Sequence, residues 1–442
     1  MSTPRGAVQD DDPTIGELIA ARPHLAMHAM DGLVMDGVPL AAIADALGTP
    51  VWVYSADAMG ARYQALAGAL SGLDARIHYA VKANDHLAVL RVFTSLGAGA
   101  DVVSGGELRR ALEAGSPPDR IVFSGVGKTV AELDLALATG VGQINVESGE
   151  ELDILAARAA AMGRVAEVGL RINPDIEAGT HEKISTGRAR DKFGIPYREA
   201  GLLYARAASL PAIRPVGLAV HIGSQIKTIA PYRAAYARLA TLARALRASG
   251  HKVETIDCGG GLGIGYRNEP TAEPEALAGA IRATLGGLNV RLVVEPGRWL
   301  VGPAGVLLAS VVLEKTSGRT RFIVLDAAMN DLVRPAIYDA WHGIVPLAAA
   351  DAVAVVGPAD IVGPVCESGD TLARGRMLPR LAPDARVAIL DAGAYGAAMS
   401  STYNARPLAA VAMVRDGRWA MIRPRQPIEA LWAEERIPDW LG

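Results

Sequence analysis

From about residue 75 to residue 300, short apolar runs alternate with Ala-, Leu- and Arg-rich stretches of helical period. The runs are Ile77–Val81, Ala100–Val103, Ile121–Phe123, Gln143–Val146, Glu167–Ile172, Val216–His221, Glu254–Asp257 and Arg291–Val294. The helical stretches between them are Leu87–Leu96, Gly106–Ala114, Val130–Ala138, Gly149–Met162, Ala200–Ala208, Tyr232–Ser249 and Glu273–Leu285. Strand followed by helix, repeated eight times, predicts a (β/α)8 barrel rather than an open Rossmann sheet.

Beyond Gly305 the rhythm changes. Val306–Thr316, Arg321–Leu325, Ala352–Val356, Arg386–Leu390 and Leu408–Val414 read as strands with no regular helix between them, punctuated by Gly and Pro. The expected organisation is a loose N-terminal arm over 1–30, a segment 31–55 joining a β domain, a barrel over 56–305 and a C-terminal all-β domain over 306–442.

Composition narrows the class. The 442 residues are 50% hydrophobic and 21% charged, enough for a large core and against disorder. A net charge of -3 argues against nucleic acid as a partner. No apolar run approaches the ~20 residues of a membrane span, so no membrane partner is expected. Asp10, Asp11 and Asp12 stand where a signal peptide would be basic and then apolar. Cys258 and Cys366 are too few for a disulfide scaffold and fit a reducing, cytoplasmic compartment.

Barrel chemistry gathers at the C-terminal strand ends. Strand one ends at Lys82, which is either a surface lysine or an amine whose basicity falls near an apolar mouth, making it a nucleophile. Strand six ends at His221, with Gly223 and Ser224 opening the turn. Strand seven runs into Gly259, Gly260, Gly261, Gly263 and Gly265, whose N–H groups can converge on an anion such as phosphate. Strand eight ends at Glu295-Pro296-Gly297-Arg298; the carboxylate could meet a cationic ring nitrogen or a salt-bridge partner, Arg298 or Arg171. A lysine, a histidine, a phosphate cradle and a carboxylate are what pyridoxal 5'-phosphate requires: an imine partner, a ring contact, an anion site and an acid to keep the ring nitrogen protonated. No metal site is read.

The chain resembles the fold-type III pyridoxal-phosphate decarboxylases from about residue 48 onward. The resemblance rests on Tyr79-Ala80-Val81-Lys82-Ala83-Asn84, His181-Glu182-Lys183-Ile184-Ser185-Thr186-Gly187, Lys192-Phe193-Gly194-Ile195, His221-Ile222-Gly223-Ser224-Gln225, Gly259-Gly260-Gly261-Leu262-Gly263 and Glu295-Pro296-Gly297-Arg298. It continues through Asn330-Asp331-Leu332-Val333-Arg334-Pro335, Cys366-Glu367-Ser368-Gly369-Asp370 and Gly393-Ala394-Tyr395-Gly396. Ala328 stands where the family pattern has glycine.

The resemblance implies that Lys82 carries the cofactor, that His221 stacks on its ring and that Glu295 meets its nitrogen. The 260–263 glycines, Ser224, the Gly297–Arg298 turn and Tyr395 would hold the cofactor and its phosphate. Arg298, Arg334 and Tyr338 would take the distal carboxylate of an amino-acid substrate. Cys366 and Glu367 would reach in from the second subunit of a homodimer, Cys366 as proton donor. A free thiol is a workable acid near neutral pH, whereas Cys258 reads as structural.

Two arginines favour a substrate with a second carboxylate, since Arg captures carboxylates bidentately. The alternatives are decarboxylation of ornithine, arginine or carboxynorspermidine, racemisation on the same barrel, or a catalytically dead binding homologue. Glu295 speaks against racemisation, and the presence of Lys82 and Cys366 against the dead homologue.

Overall fold

A computed structural model describes residues 12–177, 186–187 and 191–441. The motif stretch 181–185 and the first eleven residues lie outside them. The chain forms two compact units. One comprises Met59–Ile264 and Pro270–Val301; the other comprises the residues through Ala58, Gly265–Glu269 and the residues from Gly302 on.

In the first unit eight parallel strands close into a ring. They are Ala75–Ala80, Gly99–Val102, Ile121–Phe123, Gln143–Val146, Ala166–Asn173, Ile213–Ala219, Thr255–Asp257 and Arg291–Val294, and the last pairs back on the first. All eight apolar runs of the sequence are strands of this barrel. Their middles are buried on both faces, which is why they read as continuous runs rather than alternating ones.

The helices between them are amphipathic. Ala230–Ala248 buries Tyr232, Tyr236, Leu239, Ala243 and Leu246, spaced three or four apart on one stripe. Each buried leucine there contributes about 2 kcal/mol. Val130–Thr139 starts in a capping box between Thr129 and Glu132 and stops at Gly140, left-handed at φ 74°.

The second unit is built on Gly305–Ser317. Its first half lies between Val51–Ser55 and Arg386–Ile389, and its second half pairs with Thr320–Leu325. Val51–Ser55 leads on to Ala410–Arg415 and Arg418–Arg423. Thr320–Leu325 leads on to Val356–Val362 and Thr371–Pro379.

The stretch 352–356, read as a strand, instead ends the helix Ala349–Ala352 and turns, and the strand begins at Val356. Val353 and Val355 are exposed, so their β-branched character reports no burial. Ile344–Pro346, Thr371–Pro379 and Arg418–Arg423 are further strands. In Thr371–Pro379 interspersed arginines mask the apolar pattern, and in Arg418–Arg423 only four apolar residues lie between the bounding arginines.

Residues 12–30, within the range expected to be a loose arm, are ordered by specific bonds. Thr14 and Glu17 form a capping box on Ile15–Ala20, and Leu25–His28 pairs with Gly32–Met35. Buried Arg22 places Nε 3.0 and 3.1 Å from the two carboxylate oxygens of Asp391. Gly265–Glu269 falls inside the range expected to be barrel but belongs to the β unit; the Tyr266 backbone carbonyl accepts from Arg22 at 3.3 Å.

Candidate active site

The first strand of the barrel ends in a short 3-10 turn, Val81–Ala83, that projects Lys82. The turn is pinned from both sides. The Tyr79 hydroxyl donates to the Asn84 carbonyl at 3.0 Å, and Tyr79 stacks on Phe93 with ring centroids 4.4 Å apart. The Ala80 N–H donates to the Pro296 carbonyl at 3.1 Å, tying the first strand end to the eighth. A Cβ on Gly297 would lie 2.9 Å from the Ala83 Cβ and 3.1 Å from the Ala80 Cβ, so this close approach needs glycine.

Lys82 Nζ lies 2.8 Å from Asp101 Oδ2, on the neighbouring strand. Burial alone would raise the Asp101 pKa, but the Lys82 charge and hydrogen bond prevail and hold it below the usual carboxylate range.

Glu295 is buried on the eighth strand end, and its Oε1 has no hydrogen-bond partner. Burial first, then the charges of Asp101 and Asp257, push its pKa well above the ordinary carboxylate value. Asp257, on the seventh strand end, is hydrogen-bonded to Glu295. It also accepts from Asn145 Nδ2 at 2.9 Å and from the Gly259 N–H at 2.9 Å. The salt bridge weighed between Glu295 and Arg171 is not made: Arg171 pairs with Glu147 at 2.7 Å.

His221 is half-buried, and its Nδ1 accepts the Gly260 N–H at 3.2 Å, which leaves the proton of the neutral ring on Nε2. Desolvation, reinforced by the Lys82 and Arg171 charges, drives its pKa to about 3, so the ring is neutral near physiological pH. Arg298 donates to Ser224 Oγ at 3.1 Å.

The glycine loop is partly committed to itself, with the Gly263 N–H on the Ile226 carbonyl. Gly261 sits at φ 101°, a conformation only glycine adopts without strain. Its N–H and that of Leu262 are not committed to another described residue.

Lys82, His221, Ser224, Gly260, Gly261, Gly263, Glu295, Gly297 and Arg298 thus share the C-terminal end of one barrel. Asp101 and Asp257 join them without having been singled out in the sequence. The available signal was an acid inside or ending a buried apolar run, where an unpaired carboxylate is costly. Cys258 is buried, and desolvation followed by the Asp257 charge raises its thiol pKa, in keeping with a structural role.

The other unit carries the rest. Arg334 is buried at the start of the short helix Arg334–Tyr338, with half-buried Tyr338 at its end. Asp331 accepts the Ala328 N–H, and Arg334 meets His342. Cys366 and Glu367 are exposed on a loop anchored by Asp370, which accepts the N–H groups of Met329 and Val365 at 2.7 Å. Tyr395 is half-buried at φ 55°, a strained backbone for a non-glycine residue.

The unpartnered oxygen of Glu295, the projecting lysine and the glycine loop fit pyridoxal phosphate. This barrel and its strand-end chemistry define a pyridoxal-phosphate enzyme. Residues 57–302 match the family model described as "Pyridoxal-dependent decarboxylase, pyridoxal binding domain".

The chain is 48% identical to the diaminopimelate decarboxylase of Zymomonas mobilis over 414 residues, covering 92% of this chain and 98% of the relative. The crystal structure of Helicobacter pylori diaminopimelate decarboxylase with L-lysine matches at TM-score 0.87 and 39% identity, covering 89% of this chain and 98% of that one. That of M. jannaschii diaminopimelate decarboxylase matches at TM-score 0.90 and 33% identity, covering 96% and 100%. The chain belongs to the diaminopimelate decarboxylases of the pyridoxal-dependent decarboxylase family.

Proposed function

We propose that this enzyme decarboxylates meso-2,6-diaminopimelate to L-lysine and CO2, the last step of lysine biosynthesis. The observation that carries the reading is that the adjacent first and eighth strand ends carry the projecting Lys82 amine, held by Asp101, and a Glu295 oxygen with no partner. Bound pyridoxal phosphate supplies an electron sink for the pair released when CO2 leaves.

Lys82 holds the cofactor covalently, and Asp101 orients its amine. Glu295 would take the ring nitrogen, and neutral His221 would face the ring. Ser224, Gly260, Gly261, Gly263, the Gly297–Arg298 turn and Tyr395 hold the cofactor and its phosphate. Arg298, Arg334 and Tyr338 bind the carboxylate that the product retains. Neutral or basic side chains would leave those arginines unpaired, which disfavours the ornithine and arginine alternatives.

Cys366 returns a proton to the reacting carbon, with Glu367 beside it, both donated across a homodimer. Their exposure in the single chain supports that role. A cytoplasmic location accords with the two free thiols, and among the described residues no helix is long and apolar enough to cross a membrane.

The test is turnover of meso-diaminopimelate by the cofactor-loaded protein, followed as CO2 release and L-lysine formation. Borohydride should abolish activity by fixing the Lys82 linkage. Release of CO2 from ornithine or arginine but not from meso-diaminopimelate would overturn the substrate assignment.

A further inference from the structure

A buried guanidinium needs acceptors, because each unsatisfied N–H forfeits its hydration. Arg334 Nη1 lies 2.8 Å from His342 Nε2. Arginine is a donor only, so Nε2 is the acceptor, and the neutral ring carries its hydrogen on Nδ1. Nδ1 in turn lies 2.8 Å from the Leu390 carbonyl, the acceptor that this tautomer requires.

Tyr266 supplies a second support. Its ring centroid is 4.9 Å from the Arg334 guanidinium carbon, and the ring meets His342 edge-on at 5.2 Å. An imidazole lone pair and an aromatic face orient a cation without neutralising it. A carboxylate in place of His342 would compete with an acidic ligand.

The supports are themselves tethered. Arg22 binds Asp391, the residue after Leu390, and its Nη2 donates to the Tyr266 carbonyl at 3.3 Å.

We infer that His342 is a positioning residue for substrate selection: through Nε2 it fixes the Arg334 guanidinium in the orientation that receives the retained carboxylate. The inference rests on the assignment of Arg334 to that carboxylate.

Three ligands and four variants test it. The ligands are meso-diaminopimelate, L-lysine, which keeps the carboxylate, and pentane-1,5-diamine, which lacks it. His342→Asn keeps a donor toward Leu390 but loses the acceptor for Arg334. His342→Gln restores an acceptor where Nε2 stood. Arg334→Ala and Arg334→Ala/His342→Asn complete the set.

His342→Asn should raise KM for meso-diaminopimelate and weaken L-lysine binding by calorimetry, each about 10-fold, with kcat within about 3-fold. Diamine binding and the bound-cofactor spectrum should not move. His342→Gln should recover most of the loss, and His342→Asn should add nothing in the Arg334→Ala background. If His342→Asn does not fold, the His342→Gln comparison and the diamine control decide.

Unchanged KM and lysine affinity in His342→Asn, with both weakened in Arg334→Ala, would overturn the inference and leave the Arg334 assignment standing. No effect of Arg334→Ala would remove that assignment itself. Equal losses for lysine and diamine would mark a general packing defect and also overturn the inference.

Discussion

The Lys82 amine and the Asp101 carboxylate form a 2.8 Å ion pair between the ends of adjacent barrel strands. The Asp101 side chain is wholly buried, whereas a third of the Lys82 side chain is open. The nucleophile is therefore held by a rigid, hidden partner and presented to a ligand on its other side. That arrangement orients the Lys82 head group before any cofactor arrives, at the expense of burying a carboxylate.

Asp101→Asn should destabilise the cofactor-free protein by about 1–2 kcal/mol. A fully buried pair broken on one side costs about 3–5 kcal/mol, and the exposure of Lys82 discounts that figure. The pH dependence follows from a folded pKa below the ordinary value. The contribution of Asp101 is complete above about pH 4, the unfolded value, and is lost as pH falls through the lower folded value. Urea melts should keep a constant gap between the two proteins from about pH 6 to 8 and converge below about pH 4. Convergence on acidification that is already complete near neutral pH would show that Asp101 is not ionised in the fold.

The Asp257–Glu295 contact makes a second prediction. Two hydrogen-bonded carboxyls need a proton between them, and burial beside Asp101 and Asp257 makes Glu295 hold that proton more tightly than an ordinary carboxyl does. The proton required by the cofactor nitrogen is then already stored. Asp257→Asn removes the like charge and sets an amide N–H beside Glu295, so Glu295 ionises more readily. Calorimetry of cofactor binding in buffers of different ionisation enthalpy should show extra proton uptake by Asp257→Asn of up to about one proton. Equal uptake by the two proteins would mean that the carboxyls share none.

The barrel half was legible because parallel strands buried on both faces print as apolar runs, and because Lys82, His221 and Glu295 each close such a run. Asp101 and Asp257 were less visible because an acid in a strand gives no clue to which neighbour it faces. That depends on the order of strands around the ring, which places position 101 next to Lys82 and position 257 next to Glu295. His342 was harder still. It lies in no apolar run and matters only through Arg334, eight positions away, and through the Leu390 carbonyl. Gly265–Glu269, attached by sequence to the barrel, contributes Tyr266 to the other unit, and local pattern cannot show such an excursion.

The order of residues 12–30 predicts a stability effect. Arg22→Met leaves the Asp391 carboxylate buried without its cation, costing about 3–5 kcal/mol. Asp391 sits at φ 53°, which asparagine tolerates better than most residues, so Arg22→Met/Asp391→Asn should recover part of the loss. Urea denaturation of the three proteins measures this. Wild-type stability in the single variant would show that the N-terminal helix is not fastened through Arg22.

The exposed position of Cys366 makes the last prediction, because a thiol open to solvent in its own chain is available to another. Lys82→Ala and Cys366→Ala should each be nearly inactive, the first also failing to retain cofactor covalently. Mixed under conditions that exchange subunits, the two chains should form about half hybrid dimers. If the sites are shared, one site of each hybrid receives both lesions and the other receives neither. About a quarter of native activity should then return, because one intact site in every hybrid is half of a native dimer. The Lys82→Ala chain cannot supply its own intact site, so activity in the mixture must come from its Cys366 acting beside the partner's Lys82. Subunit exchange confirmed by mass spectrometry with no return of activity would place the action of Cys366 within its own chain.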